Sequence, residues 1–209
     1  MTMNVCTRIF GLGLLAVFVA GSYAQEPCPA IKELRLKLHE KPYITLQFSQ
    51  QTHSDVFKTV DTLSGRLWTG NGGRFRLTTP NQVMVSNGTL FWSYSVENQQ
   101  VLVDSVATLG RWDPLTLLYD PEAVYRCRAQ RDNKGNVELD MAAVDTLTVP
   151  ARFTLQISRP GYRPEKLTYR DDNGSLIEVL IADFAGKDRL PDSLFDFHPA
   201  PGVEVIQMP

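Results

Sequence analysis

Side chains able to do chemistry are few and scattered in this sequence. His39, His53 and His198 stand on separate segments, and there is no Gly-x-Ser-x-Gly turn, no Cys-x-x-Cys pair and no run with metal-ligand spacing. Asp171 and Asp172 form an adjacent carboxylate pair, but Asn173 and Gly174 follow at once. That composition serves a hairpin turn, where solvated carboxylates bond their own backbone, better than acid–base catalysis. His198, between Phe197 and Pro199, reads as a surface residue. The expectation is a protein that is not an enzyme, with no metal and no cofactor.

The chemistry that remains is apolar burial. Phe48, Trp68, Phe75, Phe91, Trp92, Tyr94, Phe153, Phe184, Phe195 and Phe197 recur along segments that alternate apolar and polar residues. A single curved sheet of this size leaves a concave side that its own side chains do not fill, so an apolar cavity is one outcome. A plain core is the other, and composition leaves both open.

The 209 residues are 43% hydrophobic and 21% charged, with 21 Lys plus Arg against 23 Asp plus Glu and a net charge of -2. This suits one ordinary globular domain, and there is no basic patch for nucleic acid. Arg8, the apolar run Ile9 to Ala20, and then Ser22, Tyr23 and Ala24 read as a signal peptide over residues 1–24. Residues 25–209 are then a single exported domain in the periplasm, read as a monomer. Two cysteines remain after the cut, Cys28 and Cys127. In an oxidising compartment they can pair, or each can stay a small buried apolar residue; both readings are open.

The elements that must position these residues follow from the periodicity. Pro29 suits a first helical turn, and Ile31, Leu34 and Leu38 recur on one face, predicting a short amphipathic helix that ends before Pro42. From Tyr43 the period becomes two. Strands are expected from Tyr43 onward, then at Leu63–Thr69, Arg74–Thr78, Gln82–Ser86, Thr89–Val96 and Gln100–Asp104. Further strands are expected at Tyr125–Gln130, Asn136–Met141, Arg152–Ser158, Lys166–Asp171, Leu176–Phe184 and Ser193–Phe197. The Asn87–Gly88 pair marks a hairpin. Asp113–Pro114 followed by Leu115, Leu117, Leu118 and Tyr119 reads as a capped helical turn. The fold class is mainly β: a single curved antiparallel sheet, or barrel, of about ten or eleven strands with two helical inserts.

Six segments in order resemble the periplasmic outer-membrane lipoprotein carrier (LolA-like) family. They are ITLQFSQQ (44–51), GRLW (65–68), GGRFRLTTP (72–80), VSNGTLFWSY (85–94), DPLTLL (113–118) and FDFHPAPGVEVI (195–206). The resemblance implies an unclosed antiparallel β-barrel with a short helical lid, whose apolar cavity takes lipoprotein acyl chains from an inner-membrane lipoprotein-releasing transporter and passes them to an outer-membrane receptor. Its cavity would be lined here by Leu46, Phe48, Leu67, Trp68, Phe75, Leu77, Val85, Leu90, Trp92 and Tyr94. Its lid would carry Ile31, Leu34, Leu38, Leu115, Leu117 and Leu118. Well-known members place an Arg-Pro pair, whose Arg holds the lid, where this chain has Asn71 and Gly72; Arg74 and Arg76 are the candidates to replace it. The same shell also suits a carrier or sensor of another envelope lipid, and a plain structural barrel would fill its own cavity.

Overall fold

The computed structural model describes residues 28–106, 122, 124–146 and 150–208. The expected signal peptide, and Leu115, Leu117 and Leu118 of the expected lid, lie outside the described residues.

Among the described residues one helix, α1 (Pro29–Leu38), precedes twelve strands. These are β1 (Tyr43–Ser54), β2 (Thr59–Gly70), β3 (Arg74–Thr78), β4 (Gln82–Asn87), β5 (Leu90–Ser95), β6 (Gln100–Ser105), β7 (Tyr125–Asn133), β8 (Asn136–Ala143), β9 (Arg152–Ser158), β10 (Pro164–Arg170), β11 (Leu176–Lys187) and β12 (Glu204–Gln207). All twelve lie in one sheet, ordered β12-β6-β5-β4-β3-β2-β1-β11-β10-β9-β8-β7. The sheet is not closed: β12 and β7 are its two edges among the described residues. Every pairing is antiparallel except β12 with β6, which is parallel. Eleven of the expected segments are strands among the described residues, and β12 is a strand that the sequence pattern did not mark.

Local sequence explains most elements. Asn87 Oδ1 accepts the Thr89 and Leu90 backbone N–H groups at 2.9 and 2.8 Å, and Gly88 takes φ 93, so the β4–β5 hairpin turns as its Asn-Gly pair predicts. Asp171 Oδ1 likewise accepts the N–H groups of Asn173 and Ser175, both at 2.9 Å, which fixes it as a turn residue. The expected strand at Ser193–Phe197 is instead a 3-10 helix at Asp192–Phe195. Its Phe195 and Phe197 alternate because both pack against rings of the sheet, Tyr43 and Tyr94, not because they pair as a strand.

The sheet is buried on both faces, unequally along its length. On the inner face α1 presses Ala30, Ile31, Leu34 and Leu38 against Tyr125, Val137, Leu139, Met141, Phe153, Leu155, Ile157 and Leu167 of β7 to β10. Gln130 Oε1 of β7 accepts the Ala30 N–H at 3.0 Å, meeting one donor that the helix itself leaves unpaired. A disulfide between Cys28 and Cys127, with Cα atoms 6.1 Å apart, ties the start of α1 to β7. The outer face of β4 to β6 is covered by Phe197 and Val203, which lie on Val83, Val85, Trp92, Tyr94, Val101 and Val103.

Candidate functional site

The inner face of the other half, β1 to β5 with β11, carries the second apolar surface. Ile44, Leu46 and Phe48 alternate along β1, so all three point inward with Leu67 of β2 opposite Leu46. Leu46, Leu67, Phe75 and Phe91 are buried, and Phe48, Leu77, Met84, Val106, Ile181 and Phe184 pack around them only half-buried. The Phe75 and Phe91 rings sit 6.0 Å apart. Phe184 also touches the cluster under α1, which shows that both apolar surfaces lie on one face of the sheet.

Two backbone features shape this surface. Gly65 lies opposite Phe48, and a Cβ there would come within 2.4 Å of the Phe48 ring and 2.9 Å of the Thr78 carbonyl oxygen. Only a glycine lets the ring lie down on β2. In β11, the register against β1 shifts where Asp183 takes φ 49, and Asp183 is the extra residue. A bulge of one residue moves side chains to the other face, so Ile181 and Phe184 both reach inward although they are three apart. Gln47, on the outer side of β1, bonds the displaced Asp183 carboxylate through Nε2 at 2.6 Å.

Of the ten expected cavity residues, Leu46, Phe48, Leu67, Phe75 and Leu77 come together here. The other five do not, because the pleat puts neighbours on opposite faces. Trp68 follows Leu67 and faces outward, with the Arg66 guanidinium 5.5 Å from its ring. Val85, Trp92 and Tyr94 are outer-face residues beneath Phe197 and Val203. Leu90 shares their side of β5 and is 40% exposed. Met84, Phe91, Val106, Ile181 and Phe184 complete the inner surface without having been expected. Strand parity counted from Leu46 would have found Met84 and Phe91; the bulge hid Phe184.

The expected lid also needs correction. Ile31, Leu34 and Leu38 are buried in the core over β7 to β10 and group with Ile44, not with Leu46 and Phe48. The helix covers the sheet, but as a disulfide-tethered wall of one half. Nor do the two candidate arginines latch it. Arg74 donates to Asp192 at 2.9 Å and to the Tyr43 hydroxyl at 3.1 Å, with its guanidinium 5.2 Å from the Phe195 ring. Arg76 donates to the Leu194 carbonyl at 3.3 Å. Both fasten the 3-10 helix.

Polar groups form no reactive constellation among the described residues. His53, on the outer face of β1, has Nε2 3.4 Å from Glu178 Oε2, while Lys166 bonds Oε1 of the same carboxylate. The Lys166 hydrogen bond holds the Glu178 carboxyl below its ordinary range, against a smaller opposing effect of burial; the Lys166 and His53 charges add to the lowering. His198 is exposed, with Nε2 3.8 Å from Asp196. No group of three or more His, Cys, Asp or Glu that could hold a metal occurs among the described residues. What this arrangement can do is bind an apolar guest.

Residues 43–198 match the family of the outer membrane lipoprotein carrier protein LolA. The chain belongs to the LolA family. Among its relatives is an outer-membrane lipoprotein carrier protein of Legionella pneumophila, 27% identical over 206 residues that cover 96% of this chain and 98% of the relative. Another, from Alkalilimnicola ehrlichii, is 28% identical over 178 residues, covering 77% of this chain and 76% of that protein. A crystal structure of an uncharacterized conserved protein from Thermus thermophilus shares the LolA-like fold, with a TM-score of 0.55 and 13% identity over 88% of this chain and all of that one. The LolA match begins at β1, so α1 lies outside it.

Proposed function

We propose that this LolA-family chain is a periplasmic lipoprotein carrier, which shields acyl chains on the inner face of β1 to β5 and β11 while they cross the aqueous gap between membranes. The observation that carries this reading is the contrast within one face. Beside a filled core lies a row of apolar side chains, Phe48, Leu77, Met84, Ile181 and Phe184, left half-buried around Leu46, Leu67, Phe75 and Phe91. Each buried methylene contributes about 0.8 kcal/mol, so acyl chains resist entering water by some tens of kcal/mol and move only under cover. The guest arrives from an inner-membrane lipoprotein-releasing transporter and leaves to an outer-membrane receptor, and no chemical step is required of the carrier. Residues 1–24 act as the export signal of the domain at 25–209. The Cys28–Cys127 disulfide supports an oxidising compartment.

A charge placed inward should be costly to binding, and one placed outward should not. Phe48→Glu is expected to abolish release of lipoprotein from inner-membrane vesicles containing the transporter; Leu46→Glu should do the same, at some cost in folding, since Leu46 is buried. Gln47 points outward but bonds Asp183, so a carboxylate there meets another one. Ser49, paired with Ser64 and Leu180 on the same outer side, is the better control, and Ser49→Glu should leave release intact. Failure of the unaltered protein to release any lipoprotein, together with tight binding of a different envelope lipid, would replace this reading with that of another lipid's carrier.

A further inference from the structure

Val56 and Phe57 are the two most exposed large hydrophobic side chains among the described residues, at 72% and 79%, and they are adjacent at the apex of the β1–β2 hairpin. Val60, 57% exposed, flanks them. Turn apices ordinarily carry Gly, Asn, Asp or Ser, because these residues tolerate tight backbones and water. Here the tight position falls on Lys58, at φ 56, and the two residues before it are apolar. The turn is nevertheless well tied: the Ser54 carbonyl accepts the Lys58 N–H at 2.9 Å, and Ser54 Oγ accepts the Phe57 N–H at 3.1 Å. Arg170 of β10 holds the neighbouring Asp55 at 3.3 Å. The apex is thus presented on a braced arm. Beyond Gly65 that arm also runs clear of β3, which pairs with β2 only at 66–70.

We propose that Val56 and Phe57 form a membrane wedge, which dips into the interfacial layer of a lipid bilayer while the inner face of the same two strands exchanges its acyl guest. The proposal rests on the carrier reading and adds the bilayer itself as a partner. Area decides between lipid and protein. A stable protein interface needs about 800 Å² from each side, whereas a Val and a Phe on a convex tip supply at most a few hundred. Insertion into an interface is gained residue by residue and needs no complementary surface. Attraction to anionic lipid is not the driving force, since Asp55, Asp61, Asp171 and Asp172 stand at the apex end of the arm against Lys58 and Arg170. Neutral lipid should therefore serve, and salt should matter little.

The test uses phosphatidylcholine vesicles and the protein isolated from the periplasmic fraction. In Phe57→Trp, emission of the new indole should shift to the blue on adding vesicles and be quenched by brominated lipid, equally at low and high salt. Val56→Ser combined with Phe57→Ser should lower partitioning onto vesicles by about tenfold, because two apolar side chains are removed from the interface. Its melting temperature and its binding of a triacylated lipopeptide free in solution should not change. No spectral shift, or unchanged partitioning of the double variant, overturns the wedge. A shift seen only with vesicles containing a membrane protein also overturns it and assigns the tip to that protein. Lipopeptide binding without vesicles reports on the carrier reading separately, so that loss of binding by the unaltered protein sinks the carrier and not the wedge alone.

Discussion

The two halves of the inner face use the same kinds of side chain to opposite ends. Over β7 to β10, Val137, Leu139, Met141 and Ile157 are wholly buried beneath α1, and the disulfide fastens the helix in place. Over β1 to β5, four buried side chains anchor a ring of half-buried ones. The difference teaches that an apolar residue contributes to stability where the protein itself completes its surroundings, and to binding where it does not. One curved sheet carries both because Phe184 and β1 run continuously from one region to the other.

The sharpest way to break this comparison is to truncate one aromatic ring in each half. Phe153→Ala, under α1 and edge-on to Tyr125 at 4.7 Å, should lower unfolding free energy in urea by about 3–5 kcal/mol. Phe48→Ala should cost about 1 kcal/mol or less, for it loses less buried area, yet weaken binding of an apolar dye several-fold. Equal stability losses would merge the two regions into one ordinary core. Next in size is the disulfide. Its cysteines are 99 residues apart, so Cys28→Ser with Cys127→Ser should cost about 2–4 kcal/mol by freeing the unfolded chain. Amide exchange should quicken in α1 and change little in β3 to β5.

Smaller still is Gly65→Ala, where the added Cβ must displace the Phe48 ring or the Thr78 backbone. We expect a loss of about 1–3 kcal/mol, with altered dye affinity as the distinguishing readout. The smallest effect belongs to the seam, where Glu178 meets Lys166 and His53 on the outer face. A carboxyl held below its ordinary 4.5 adds stability that is complete above that pH and fades as pH falls below it. Glu178→Gln should therefore cost less than about 1 kcal/mol near neutrality, and the difference from the unaltered protein should shrink in acid; a partly exposed pair gives no more.

How much of this was legible in the sequence differs by element for physical reasons. The helix from Pro29 to Leu38 and the Asn87–Gly88 turn are set by local geometry, and both stand as read. The ends of β1 and β2 were not visible, because SQQTHS and TVDT offer no apolar alternation to mark a strand. The candidate site was half legible. Leu46 and Phe48 declare one face, but VSNGTLFWSY holds apolar residues on both faces, since Phe197 and Val203 cover the outside. A strand covered on both sides carries no record of which side is which. Only the distant contact supplies it, and the same holds for β12.

That distant contact governs the order in which the molecule can assemble. Glu204 pairs with Gln100, and their side chains bond at 2.9 Å across 104 residues of chain. Until that stretch has emerged, Trp92 and Tyr94 have no cover and β6 keeps an open edge, a surface on which nascent strands stick to one another. β1 is in the same position, for it awaits β11, 136 residues downstream at the Gln47–Asp183 bond. A chain threaded from its amino end thus reaches midway with β1 and β6 each still lacking one neighbour. The hairpins within β1 to β6 and within β7 to β11 can pair as they emerge, and the two distant pairings, β1 with β11 and β6 with β12, close the sheet last.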